Sequence, residues 1–150
     1  MINGYIRTLC NMLQLPMPQV FYNDHELAVE IHAKLTTDGK RLFLRKLKTP
    51  SLDQLFAAAS ELRRAWQRKT DEPLYFGEYK SREELSLREF ATQPSEVDAN
   101  AFAAVIVSAF FGVEPVFDDL PGAARSKIDR RCEEIRKNEF PDLAKMKLPH

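Results

Sequence analysis

The hydrophobic positions in the first third of the chain predict one helix followed by a β-hairpin. Apolar residues recur at helical spacing over residues 2–14. Apolar and polar residues alternate over 27–35, and a second strand candidate covers 41–47. The Asp-Gly pair at 38–39 has turn chemistry, so these two segments are expected to pair as an antiparallel hairpin. Residues 20–22 are a candidate for a third strand.

The remaining two thirds of the chain predict three longer helices. A capping box and an apolar face indicate a helix over 51–69. Residues 71–93 show no sustained period, and we expect a long surface loop there with a helical turn near 82–89. A mostly apolar helix is predicted over 94–111, and a charged one over 123–139.

These elements predict an α+β fold in which a small antiparallel sheet packs against about four helices. The chain has 150 residues, which is enough for one core, so we expect a single domain over 1–150. The last residues, 141–150, are expected to form a flexible tail.

Charge and composition narrow the classes of partner. The 22 Lys and Arg residues balance 22 Asp and Glu residues, so no overall field favours direct binding to nucleic acid or to an anionic membrane. The longest mostly apolar stretch, 101–111, is about half of the ~20 residues that cross a bilayer. With only two cysteines and no secretory signal pattern, a cytoplasmic location is expected.

Two segments on the predicted helices carry the most chemical information. Ser-Glu-Leu-Arg-Arg occupies 60–64, and Glu-Val-Asp-Ala-Asn-Ala-Phe-Ala occupies 96–103. Together they resemble the ImmA/IrrE family of gluzincin-like metallopeptidases, which carry His-Glu-x-x-His on one helix and Glu-x-x-Ala-Asn/Asp-x-Phe-Ala on a second. The resemblance covers 51–112 well and the preceding strands loosely. It implies a zincin-like core.

The resemblance also assigns roles to individual positions. The three zinc-ligand positions of the family correspond to Ser60, Arg64 and Glu96, and its general base corresponds to Glu61. Serine is a poor zinc ligand and arginine stays protonated, so two of the three ligands are absent. We therefore expect no metal and no cofactor, and Glu61 would be a remnant of the catalytic machinery.

Arg64 is expected to replace the missing cation electrostatically. Its guanidinium would bridge Glu96, and also Glu61, so that two inward carboxylates stay neutralised. The alternative is that Arg64 is a solvated helix residue.

The sequence therefore predicts a catalytically inactive pseudopeptidase that keeps its cleft as a protein- or peptide-binding regulatory module. The resemblance implies a bacterial or phage-derived setting linked to mobile elements, with a helix-turn-helix repressor as the partner class. One alternative is an active zinc peptidase with non-standard ligands. Another is a structural protein of an assembly. The oligomeric state is left open.

Several other residues have both a functional and a structural interpretation. Tyr75 and Tyr79 on the predicted loop could form a binding surface or pin the loop to the core. His25 in a turn, His32 on a strand and the terminal His150 could rebuild a metal site only if the hairpin folded over the helix.

Three further groups are expected to be structural. Cys10 and Cys132 are expected to be small core residues. Asp98, two residues after Glu96, should point away from it and is given no role beyond the helix N-terminus. The basic residues at 63–64 and 68–69 are expected to be a solvated helix end.

Overall fold

The computed structural model describes residues 1–146 and 148, and it has the predicted α+β class. Five helices accompany one three-stranded sheet. In chain order the elements are α1 (Ile2–Leu13), β1 (Gln19–Tyr22), β2 (Ala33–Leu35), β3 (Arg41–Leu44), α2 (Leu52–Phe76), α3 (Leu87–Ala91), α4 (Pro94–Phe111) and α5 (Gly122–Glu134).

The sheet is mixed, so the prediction of a purely antiparallel sheet is wrong. The predicted hairpin of β2 and β3 is present, with Ala33 opposite Leu44. The third strand, β1, pairs in parallel with the other edge of β3, with Val20 opposite Leu42. The connection over 23–32 carries the chain past β3 before β2 begins, which gives β1 and β3 the same direction.

Strand β2 is much shorter than the alternation over 27–35 predicts. Leu27 is buried, but Val29 is 88% exposed and Glu30 has a φ of 71°, outside the extended region. The Arg45 guanidinium donates hydrogen bonds to the carbonyls of Ala28 and Ile31 at 2.8 and 2.7 Å. A side chain therefore satisfies backbone groups that a strand partner would otherwise bind.

Helix α2 begins as predicted and extends further. The Ser51 hydroxyl accepts a hydrogen bond from the Gln54 N–H at 3.1 Å, which is one half of the predicted capping box, whereas the Gln54 side-chain amide donates to the Arg45 carbonyl at 2.8 Å instead of to the Ser51 backbone. Beyond the predicted end at 69, the backbone leaves the helical region at Asp71, whose carboxylate accepts from Leu74 N–H at 3.2 Å. Asp71 thereby caps a further helical turn that contains Pro73, and the predicted loop becomes correspondingly shorter.

The core lies around α4, as its apolar sequence predicts. Phe102 and Ile106 are fully buried, and α4 ends at Gly112, which has the left-handed φ of 67°. Cys10 and Cys132 are buried, and burial raises the pKa of both thiols to about 11. Both cysteines are therefore protonated core residues near neutral pH.

The C-terminal segment continues from α5 into a wider helical turn. The predicted helix over 123–139 is an α-helix to Glu134 and a π-helical turn over Ile135–Glu139. The side chain of Leu143 is buried in the core. Part of the predicted tail, including the histidine considered at 150, lies outside the described residues.

The described part of the chain contains no helix with both the length and the apolar character needed to cross a membrane.

Candidate functional site

Helices α2 and α4 pack side by side and bring the predicted site residues together. Gln67 near the middle of α2 hydrogen bonds to Ser95 at the start of α4, and Arg64, one turn earlier, reaches Glu96. Strand β2 packs against the same part of α2, where the backbone N–H of Leu35 donates a hydrogen bond to the Glu61 carboxylate. Side chains from a helix pair and a sheet edge therefore meet in one place.

Arg64 forms the expected ion pairs with both carboxylates. Its Nη1 and Nη2 atoms donate to Glu96 Oε1 and Oε2 at 3.2 and 3.1 Å, and its Nε lies 3.3 Å from Glu61 Oε2. The side chain of Arg64 is 23% exposed. Burial lowers the pKa of Arg64, but the charges of Glu96 and Glu61 outweigh it and raise the pKa overall. Arg64 is therefore a bridging cation and not a solvated helix residue.

Glu61 has both carboxylate oxygens engaged. Oε2 faces Arg64, and Oε1 accepts a hydrogen bond from the backbone N–H of Leu35 at 3.0 Å. Leu35 lies on β2, which is an edge strand of the sheet. The carboxylate at the general-base position thus joins α2 to the sheet edge.

Tyr79 completes this cluster from the connection between α2 and α3. Its hydroxyl donates to Glu96 Oε1 at 2.6 Å, and its ring packs on Phe76 and Phe90 with centroid separations of 5.5 and 6.2 Å. Burial raises the pKa of the Tyr79 phenol, and the hydrogen bond and charge of Glu96 raise it further. Tyr79 therefore remains a neutral donor to Glu96.

Tyr75 belongs to a different environment from Tyr79. Its ring is buried against Trp66, with centroids 6.1 Å apart. Burial raises the pKa of Tyr75, and the charge of Asp98 adds to the increase. The two tyrosines that the sequence grouped together thus lie in two separate clusters.

The residues at the family's zinc positions do not fit a zinc ion. Ser60 is buried and supplies only a hydroxyl, and the Arg64 guanidinium occupies the space between Glu61 and Glu96. Within residues 1–146 and 148, no three His, Cys, Asp or Glu side chains form a group that could hold a metal.

The two described histidines lie in the connection between β1 and β2. His25 is exposed in a short 3₁₀ turn (Asp24–Glu26). His32 directly precedes β2, so its predicted place on a strand is wrong. The strand begins later because the Arg45 guanidinium donates a hydrogen bond to the Ile31 carbonyl, which a strand partner would otherwise bind.

A second ionic cluster, next to the first along α2 and α4, centres on Asp98. Arg63 Nε and Nη2 donate to its two carboxylate oxygens at 2.8 and 3.0 Å, and Arg131 Nε donates at 2.8 Å. Glu139 accepts from Nη2 of both arginines at 2.9 Å, and Gln67 Nε2 donates to Asp98 at 2.8 Å. Four parts of the chain are therefore held together by charged hydrogen bonds.

The prediction that Asp98 has no further role is therefore wrong. Asp98 does point away from Glu96, but α5 covers that side and makes it interior. Burial by itself raises the pKa of Asp98, yet the hydrogen bonds and charge of Arg63, with Gln67 and Arg131, bring the pKa below its ordinary value. Asp98 is therefore a buried, ionised carboxylate that accepts hydrogen bonds from three side chains.

The predicted solvated basic face is also wrong in part. Arg63 is completely buried, and its guanidinium stacks 3.5 Å from the Trp66 ring centroid. Arg68 stacks on Phe76 at 4.0 Å, and the Lys69 ammonium donates to the Gln14 carbonyl. A tryptophan three residues after an arginine on a helix was the available signal for the stacking of Arg63.

Comparison of the chain with known protein families, with curated proteins and with solved structures gives no match. The resemblance to the ImmA/IrrE family thus depends on the two helix segments and stays a prediction. The geometry itself provides a guanidinium held between two carboxylates, one of which also accepts a hydrogen bond from a tyrosine hydroxyl.

Proposed function

We propose that this chain is a metal-free pseudopeptidase of the ImmA/IrrE type, with a zincin-like core, that keeps the cleft between α2 and α4 as a protein- or peptide-binding regulatory module. One observation carries the proposal. Arg64, at a position where the family has a zinc ligand, bridges the family's general-base position Glu61 and its third ligand position Glu96.

Charge explains why this arrangement can replace a metal. Two carboxylates facing each other inside a cleft repel, and a cation between them removes that repulsion. In a zinc peptidase the ion has this effect and also activates water. The guanidinium has only the first effect, because it accepts no lone pair and does not lose its proton.

The engagement of Glu61 supports loss of hydrolysis. A general base needs a free lone pair directed at the water it activates. Here one oxygen of Glu61 is bound to the Leu35 N–H and the other faces Arg64. Both carboxylate oxygens of Glu96 likewise accept hydrogen bonds, from Arg64 and from Tyr79.

The partner class follows from the resemblance. Members of the family act on helix-turn-helix repressors of mobile elements and stress regulons, so a repressor-like protein or a peptide is the proposed partner. Its proposed setting is a bacterial or phage-derived mobile element in the cytoplasm.

The test is the zinc content of two purified forms of the full chain. The wild-type chain should contain no stoichiometric zinc and should not hydrolyse casein. The double variant Ser60→His with Arg64→His should bind zinc, because it restores histidines one turn apart on α2 opposite Glu96.

The control adds Glu96→Gln to the double variant, which should lose zinc because the third ligand is removed. Stoichiometric zinc in the wild-type chain that disappears in Glu96→Gln would contradict the proposal. Chelator-sensitive hydrolysis of casein by the wild-type chain would do the same.

A further inference from the structure

An apolar groove of about 540 Å³ lies where the first turns of α2, the middle of α4 and the connection over 112–121 meet. Its walls include Leu52 and Phe56 from α2, Val107 from α4 and Val116 from the connection. Val116 is 76% exposed, and Leu52 is also exposed. The volume is in the range of sites that hold a small ligand or a few side chains.

The rim of the groove is acidic. Asp53, Glu114 and Asp119 line it, and no lysine or arginine does so in the described part of the chain. None of the three carboxylates forms an ion pair with any residue of 1–146 or 148. Ser108 donates a hydrogen bond to Glu114 at 2.6 Å, which leaves the charge in place. The rim therefore favours a cationic partner.

The groove continues the cleft of the proposed function. Asn100, which lines the groove, follows Glu96 by one turn of α4, and Phe56 precedes Ser60 by one turn of α2. Residues four apart on an α-helix lie on the same face with a rise of about 6 Å, so the groove and the Arg64 cluster share one face of the helix pair. That cluster has two carboxylates to one guanidinium, so both parts of the face are acidic.

We propose that this groove docks a segment of a partner protein that presents one or two bulky apolar side chains flanked by lysine or arginine. The inference rests on the proposed function and adds the chemistry of its partner. The apolar walls take the anchor side chains, and the three carboxylates take the flanking cations. The Asn100 amide can donate and accept hydrogen bonds with the backbone of the docked segment.

The test uses random peptides displayed on phage and selected on the intact chain, followed by resynthesis of the enriched peptides. Enriched peptides should combine an aromatic or aliphatic anchor with lysine or arginine. Their binding should weaken as salt rises. In amide NMR spectra, the shifts should change at Asn100 and over 112–120.

Two matched pairs of variants locate the binding. Val116→Glu should weaken the peptides about 10-fold or more, whereas Val29→Glu, at an equally exposed valine outside the groove, should leave affinity unchanged. Asp53→Lys with Asp119→Lys should weaken them about 10-fold and reduce the salt dependence, whereas the equally charged double variant Glu83→Lys with Glu133→Lys should not.

Selection that yields no binder, or acidic or uncharged peptides, would overturn the inference. Equal effects of the groove and control variants would also overturn it.

A dimer by light scattering that Val116→Glu converts to monomer would show that a second copy occupies the groove, which also contradicts the inference. Peptides lost in Arg64→Gln but kept in Val116→Glu would place docking at the Arg64 cluster, so the inference fails and the proposed function survives. Zinc content tests the proposed function separately.

Discussion

Arg63 and Arg64 are neighbours on α2, yet they belong to two ionic clusters with different character. Arg63 is fully buried and, with Arg131, shares the carboxylates of Asp98 and Glu139. Arg64 is partly exposed and alone bridges two carboxylates beside a tyrosine hydroxyl. Consecutive residues of one helix thus take part in a fully buried ion-pair cluster and in a partly exposed one.

The difference lies in how deeply the charges are buried. In the interior cluster, the side chains of Arg63 and Asp98 are 0% and 3% exposed, and Arg131 and Glu139 lie at the more exposed edge of the cluster. An unmatched charge there would cost several kcal/mol of desolvation. In the Arg64 cluster, the side chains of Arg64 and Glu61 are each 23% exposed, so water screens the charges more effectively and an unpaired charge costs less.

The largest expected effect comes from breaking the interior cluster. Asp98→Asn leaves the buried guanidinium of Arg63 without its main counter-charge, so we expect a loss of about 3–5 kcal/mol in the free energy of unfolding. Urea denaturation measures it. Glu134→Gln, at the exposed edge of the same cluster, is the control and should cost less than about 1 kcal/mol. Equal losses in the two variants would show that burial does not set the energy.

The second-largest effect is expected at low pH, which should weaken the interior cluster. The pKa of Asp98 is lower in the folded chain than the ~3.9 of an unfolded aspartate. The stabilisation is therefore fully present above about pH 4 and is lost as the pH falls through the folded pKa. Urea midpoints of wild type and Asp98→Asn should converge below about pH 4. A difference that stays constant down to the acid transition would contradict the assignment.

The smallest effect is expected at the surface cluster. Glu96→Gln keeps the shape and the Tyr79 contact but removes the charge opposite Arg64, and should cost about 1–2 kcal/mol because the pair is only partly buried. Urea denaturation at low and high salt measures it, and the loss should shrink with salt. A loss as large as that of Asp98→Asn would remove the distinction between the clusters.

Local sequence signals were sufficient for some helix ends, and the resemblance was sufficient for the contacts of Arg64. Ser51 caps α2 and Gly112 ends α4, because both act through hydrogen bonds or dihedral angles of their own neighbourhood. The bridge from Arg64 to Glu96 was predictable because the resemblance placed both residues at one site.

Contacts between distant segments were not predictable in the same way. The alternation that begins at Leu27 predicts a long strand, but Arg45 binds the backbone there instead. The parallel pairing of β1 depends on where the chain returns to the sheet, which no local pattern records. Asp98 was given no role beyond the helix N-terminus, because helix geometry shows only that it points away from Glu96. That α5 covers this side of α4 could not be read from the sequence.

The sequence by itself determined the α+β class, the start of α2, both ends of α4 and the absence of histidine from positions 60 and 64. Only the tertiary structure decided which of two adjacent arginines is interior. One residue along a helix is a rotation of about 100°, so Arg63 and Arg64 face different surroundings. Because Arg63 faces the side of α4 that α5 covers, whereas water reaches Arg64, one guanidinium is fully buried and the other is 23% exposed.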